Sequence, residues 1–198
     1  MPGFEKINNQ ELEEISKIFD EGNGILFRHG FDGLRNGSYK VRDFENQFSS
    51  FHKTKHSLAL TSGTAALRVA LAAIGIKRGD EVITQAFTFV ATVEAIVESG
   101  ATPICANIDE TLNLDPSELE KLITPKTKAV IAVHMLGTPC HLDKIKYICD
   151  KHNIELIEDT AWGCGGSFQN KPLGTWGSIG AFSFDFAKTM TTGEGGML

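Results

Sequence analysis

The sequence predicts an α/β domain with a mostly parallel sheet covered by helices on both faces, a three-layer α/β/α arrangement. Two observations carry this. From about Lys55 onward, short β-branched or apolar runs alternate with longer stretches of helical spacing, a rhythm that favours parallel strands joined by crossover helices. The composition, 41% apolar and 22% charged over 198 residues, suits one substantial buried core.

The elements follow in order. NNQELEEISKIFDEG (8–22) has the spacing of an amphipathic helix, the glycine-containing stretch GNGILFRHGFDGLRNGSYK (22–40) follows, and VRDFENQFSSFHK (41–53) reads as a second helix. Residues 1–50 are therefore expected to form an N-terminal arm with helices, and residues 51–198 the domain proper. Strands are expected at HSLAL (56–60), EVITQ (81–85), TPICANI (102–108), KAVIAVHM (128–135), IELIED (154–159) and IGAFSFD (179–185). Helical spacing falls between them in TAALRVALAAIG, TFVATVEAIVESG, DPSELEKLI and LDKIKYICDKH. Ser62 or Thr64 and Asp115 are expected N-caps, Gly75 and Gly100 expected stops. The chain ends on Met197-Leu198 after GEGG, where a strand is expected, so the domain reads as incomplete at its C-terminus.

Composition excludes several classes of function. The 25 acidic against 19 scattered basic residues give a formal charge of −6, so no cationic stripe is available for a nucleic-acid backbone. The N-terminus MPGFEKINNQELEE is acidic and polar where a secretory signal is basic and then apolar, and no uncharged apolar run reaches membrane-spanning length. A cytoplasmic protein is expected. Cys105, Cys140, Cys149 and Cys164 form no CxxC pair, and reduced thiols are expected. His52 and His56 stand four apart without a third ligand at a recognisable offset, so solvated histidines are expected and no metal site. Cys164, in WGCGG, has no histidine near it in sequence and reads as inert filler.

In parallel α/β sheets ligands gather at the carboxyl ends of the strands, so residues just after strands are the chemical candidates. Ser62, Gly63 and Thr64 precede a helix, whose first N–H groups can cradle a phosphate; the same residues also make an ordinary cap. Glu158 and Asp159 end a strand and point to opposite faces, so one of them can face a pocket, as metal ligand, base or partner of a protonated ring nitrogen, or simply as a solvated cap. In AFSFDF the alternation puts Phe182, Phe184 and Phe186 on the core face and Ser183 and Asp185 on the other. Lys188 lies just beyond, the only basic residue after Lys171, among aromatic and glycine neighbours that lower an amine's pKa enough for imine formation with a carbonyl; a chance lysine on a surface loop is the alternative. Phosphate cradle, acid and lysine together match the three handles of pyridoxal 5′-phosphate.

TSGTAAL, GDEVI, TFVAT, IEDTAWGCGG, the F-S-F-x-x-x-K pattern and TTGEGGM occur in the order found in the DegT/DnrJ/StrS family of pyridoxal-phosphate sugar aminotransferases, which the chain resembles over nearly its whole length. The resemblance implies the aspartate-aminotransferase fold (fold type I), whose large domain holds a mixed seven-stranded sheet, with the smaller C-terminal domain absent from this sequence. It implies a homodimer with a shared active site, an amino-acid donor, expected to be L-glutamate, and a keto group on a nucleotide-linked sugar as acceptor. It implies pyridoxal phosphate held covalently by Lys188, with pyridoxamine phosphate as its amino form. Asp159 then pairs with the pyridine nitrogen, Gly63 and Thr64 with Ser62 form the phosphate turn, Ser183 adds a hydroxyl, and Phe89 stacks on the ring. Trp162 stands where the family commonly has glutamine or histidine near the cofactor, and His134 matches a recurring histidine of unassigned role. A pyridoxamine-phosphate sugar 3-dehydratase and a non-catalytic regulatory protein of the same fold are the alternatives; Lys188 speaks against the first, and Lys188 with Asp159 against the second.

Overall fold

A computed structural model describes residues 2–198. After a short 3₁₀ turn at Gly3–Lys6, helix α1 spans Asn9–Asp20 and α2 Lys40–His52. Strand β1 is Ala59–Leu60, α3 Gly63–Ala73, β2 Glu81–Gln85, α4 Val90–Glu98, β3 Thr102–Ala106, α5 Pro116–Leu122 and β4 Thr127–Val133. Then come α6 Leu142–His152, β5 Glu155–Asp159, a small hairpin of β6 Ser167–Phe168 and β7 Lys171–Pro172, β8 Ile179–Ser183 and β9 Gly196–Met197.

The predicted alternation resolves into one seven-stranded sheet, in the order β1-β9-β8-β5-β4-β2-β3. β8, β5, β4, β2 and β3 run parallel, and β9 and β1 pair antiparallel at one side, so the sheet is mixed and mostly parallel. The chain goes from β2 outward to β3 and returns to place β4 on the other side of β2, which makes β2/β4 a topological switch point. Because successive strand residues face opposite ways, Val82, Ile131 and Ile157 pack with α3 and α4 on one side, while Ile83, Val130 and Leu156 pack with α5 and α6 on the other. The helices thus cover both faces.

Local chemistry sets the helix ends. Asn8 and Glu11 form a reciprocal capping box on α1, with Asn8 N donating to Glu11 Oε2 at 2.7 Å. Asp115 Oδ1 accepts from Ser117 N at 2.8 Å to start α5. Gly75 and Gly100 follow α3 and α4 with φ of +80° and +85°, left-handed positions that glycine adopts without a Cβ clash.

Two expectations fail. Phe186 is 58% exposed, because β8 ends at Ser183 and the backbone turns: Phe184 N donates to Gly195 O at 2.8 Å and Thr192 N to Phe184 O at 3.1 Å. Phe182 and Phe184 are buried as expected, joined by Phe48 of α2 and Met197 of β9. His52 is buried rather than solvated, its ring stacked on Phe48 at 4.3 Å and edge-on to Phe182 at 4.9 Å, and burial holds its pKa below the ordinary histidine value. All four cysteines are free, and among the described residues no metal-binding cluster occurs and no helix is long and apolar enough to cross a membrane.

Candidate active site

A cavity of about 340 Å³ opens at the carboxyl ends of β5 and β8, under the first turns of α3 and α4. Ser62, Gly63, Thr64, Phe89, Asp159, Trp162, Ser183 and Lys188, separated by up to 126 positions in sequence, all line it. A larger groove of about 900 Å³ runs along Lys53–Leu58 and the start of β8, and contains none of these eight. The candidate residues gather in the smaller cavity.

The floor is the start of α3. Ser62 is its N-cap, with Oγ accepting from Ala65 N at 3.1 Å, and the first intrahelical bond runs from Ala66 N to Ser62 O at 3.0 Å. The N–H groups of Gly63 and Thr64 therefore precede the helical ladder, at the positive end of the helix dipole. Gly63 is required by close approach: a Cβ there would lie 2.8 Å from Ser183 Cβ. The glycine lets α3 start directly against the end of β8, so the Ser183 hydroxyl sits beside the same turn.

Asp159, at the tip of β5, is buried, and its Oδ2 accepts from Thr92 Oγ1 at 2.8 Å while Oδ1 accepts from Ala161 N at 3.2 Å. Burial raises its pKa above the ordinary value, and the two hydrogen bonds oppose the rise. Its neighbour Glu158 points the other way, as alternation requires, and accepts from Gly174 N at 2.8 Å, Trp176 N at 2.5 Å and Gly177 N at 2.8 Å. His134 Nδ1 accepts from Cys140 N at 3.2 Å, which leaves Nε2 carrying the proton it donates to Glu158 Oε2 at 3.1 Å. His134 and Glu158 are thus a buried structural pair behind the cavity.

Lys188 is carried by the loop after β8 and is half-buried. Burial lowers its pKa, against the attraction of Asp185 and Asp159. Its Nζ lies 3.7 Å from the centroid of the Trp162 ring. Phe89 caps α4 and is 61% exposed, so its ring forms the cavity wall instead of core. Burial pushes the Cys164 thiol up to about 11, which agrees with inert packing.

Thr92 was not legible as a site residue. A threonine inside a helix ordinarily bonds its own backbone; here Thr92 also meets Thr88 Oγ1 at 2.9 Å, and only the fold brings it to Asp159.

These residues fit pyridoxal phosphate. Unladdered N–H groups suit the phosphate, the buried carboxylate suits a protonated ring nitrogen, and the half-buried amine suits the aldehyde; the volume falls in the range of small-molecule sites. The family model for the DegT/DnrJ/EryC1/StrS aminotransferase family matches residues 30–198. The chain belongs to this family. It is 42% identical over 193 residues to the spore coat polysaccharide biosynthesis protein SpsC of Bacillus subtilis (strain 168), covering 97% of this chain and 47% of that protein. It is 44% identical over 163 residues to the GDP-perosamine synthase of Vibrio cholerae, covering 82% and 44%. Among solved structures, the pyridoxal-phosphate form of the putative sugar aminotransferase Spr1654 from Streptococcus pneumoniae superposes with a TM-score of 0.87 at 29% identity, over 96% of this chain and 50% of that one. The fold is that of fold type I aminotransferases, and the chain spans about half the length of the curated relatives it matches.

Proposed function

We propose that this chain supplies the cofactor-binding large domain of a pyridoxal-phosphate aminotransferase that moves an amino group from an amino acid, L-glutamate, to a keto group of a nucleotide-linked sugar in the cytoplasm. One observation carries the reading: Lys188, Asp159 and the N-terminus of α3 converge on a single cavity. The cofactor, when bound, supplies an electron sink for the bond broken at the amino-acid Cα. The chain's own backbone and side-chain groups would bind and orient it. The N–H groups of Gly63 and Thr64, with the Ser183 hydroxyl, would hold the phosphate. Asp159 would hold a proton on the ring nitrogen, and Thr92 and the Ala161 N–H set the orientation of its carboxylate. Phe89, on the cavity wall, would cover one face of the ring and keep water from it. Lys188 would hold the aldehyde carbon through Nζ and is the amine placed to move a proton there; burial keeps that amine closer to neutrality than a solvated lysine.

A second copy of the chain is the proposed partner. Leu12, Ile15 and Phe19 on α1, with Phe27 and Phe31 after it, are exposed, and large apolar side chains of this kind are what a partner surface covers. The dehydratase reading is disfavoured by Lys188, whose half-buried amine suits imine chemistry.

The test is a pair of half-reactions with the full chain. L-Glutamate should convert bound pyridoxal phosphate to its amino form with release of 2-oxoglutarate, and a keto-sugar nucleotide should reverse the conversion and gain an amine. Loss of a sugar hydroxyl without any response to amino acids would replace this reading with the dehydratase one, and no response to either would leave a non-catalytic protein.

A further inference from the structure

The Lys188 ammonium has one close neighbour of a kind that can hold a cation. Asp159 from the end of β5, Asp185 from the lysine's own loop and Glu194 from the turn before β9 share the cavity, yet among the described residues none forms an ion pair with Nζ within 4 Å. What Nζ meets is the face of the Trp162 indole, at 3.7 Å from the ring centroid. Trp162 is itself held from behind: Gly137, at φ +84°, brings its backbone so close that a Cβ there would lie 3.1 Å from the Trp162 carbonyl oxygen. The backbone that carries the indole is therefore packed against a second turn.

We propose that the face of Trp162 is the resting place of the Lys188 ammonium, occupied whenever the lysine is not bonded to the cofactor, and that Trp162 thereby positions the amine and sets its affinity for the proton it carries. The inference rests on the cofactor reading above for its role in catalysis, but the contact itself does not. An aromatic face attracts an ammonium and not a neutral amine, most strongly for indole and more so when water is excluded. Partial burial works in the opposite sense, favouring the neutral amine. The two together define a lysine that can accept a proton during the reaction without drifting toward the carboxylates, and the indole turns what would be a floppy four-carbon arm into a directed one. Trp162 thus acts through Lys188, as a positioning residue.

The experiment measures the amine directly. Full chain freed of cofactor is labelled briefly with acetic anhydride over a range of pH, and the acetylation rate of Lys188 is read by peptide mass spectrometry against exposed Lys121 as an internal reference. Below the midpoint of its titration, Lys188 should acetylate about tenfold faster in Trp162→Leu than in the wild type, because the ring no longer favours the ammonium. Trp162→Phe, which keeps a weaker aromatic face, should fall between the two. Equal rates in Trp162→Leu and wild type, or equal rates in Trp162→Phe and Trp162→Leu, would overturn the proposal. Should circular dichroism show Trp162→Leu to be unfolded, the wild-type and Trp162→Phe profiles carry the test, and identical profiles reject it. Reduction of pyridoxal phosphate onto the wild-type protein is run alongside. Its failure, with the acetylation series behaving as expected, would sink the cofactor reading and leave the Trp162 contact standing.

Discussion

Replacing Asp159 by asparagine separates what the cofactor gains from this residue from what the fold gains. The carboxylate is only 5% exposed and has two neutral donors, Thr92 Oγ1 and the Ala161 N–H. Asparagine has the same shape but one acceptor oxygen, so in the cofactor-free protein one donor loses its partner, at about 1–3 kcal/mol. The same change removes a buried charge whose pKa burial has raised, which stabilises the empty protein and offsets part of that loss. The cofactor-free variant should therefore melt within a few degrees of the wild type. With cofactor the balance is different, because the ring nitrogen's proton then faces a neutral amide. Removing one partner of a buried charged pair costs about 3–5 kcal/mol, or roughly 10² to 10⁴ in an equilibrium or rate constant. Absorbance titration with pyridoxal phosphate and the rate of the glutamate half-reaction measure this. A variant that keeps affinity and rate within about threefold of the wild type would refute the assignment of Asp159 to the ring nitrogen.

Other consequences follow from the same geometry. Gly63→Ala should weaken cofactor binding and cost about 1–3 kcal/mol of stability, because its Cβ would lie 2.8 Å from Ser183 Cβ and force α3 away from β8; calorimetry with a phosphate titration checks both. Gly3→Val should loosen the lysine loop, since Gly3 N donates to Lys188 O at 2.6 Å and a Cβ there would stand 2.9 Å from Thr189 O; faster hydrogen exchange across residues 186–191 is the expected result, and unchanged exchange would count against the contact. The cofactor-free protein should also carry a pH signature of Asp159. Its folded pKa lies above the ordinary 3.8, so the folded state binds the extra proton, and this contribution is present below 3.8 and lost as pH rises through the folded value. The melting temperature of Asp159→Asn relative to wild type should accordingly increase as pH rises through that window, and a difference flat in pH would contradict it.

Much of this was legible along the chain. β2, β4 and β5 are short runs such as EVITQ and IELIED that both faces of the sheet bury, and their limits agree with the structure to within a residue or two. Cap and stop chemistry at Ser62, Asp115, Gly75 and Gly100 is local, so sequence carries it. Ser62, Gly63, Thr64, Asp159 and Lys188 stand out in the sequence because each lies at a strand end, just beyond one, or at a helix start, whereas Phe89, Trp162 and Ser183 enter through the family resemblance; the fold gathers all eight around one cavity. What escaped depends on long-range packing. FSFDF continues its alternation past the point where pairing with Gly195 turns the backbone, so Phe186 faces outward. HKTKH looks like surface until α2 lays its last turn against Phe182 and buries His52. Thr92 acquires its role only because α4 starts beside the tip of β5.

Lys188 is the amine proposed to bind the cofactor aldehyde. Protein incubated with pyridoxal phosphate, reduced with borohydride, digested and sequenced by mass spectrometry should carry the phosphopyridoxyl group on the peptide containing Lys188, and Lys188→Ala should carry none. Label spread over exposed lysines such as Lys121 and Lys151, with Lys188 unmodified, would contradict the account.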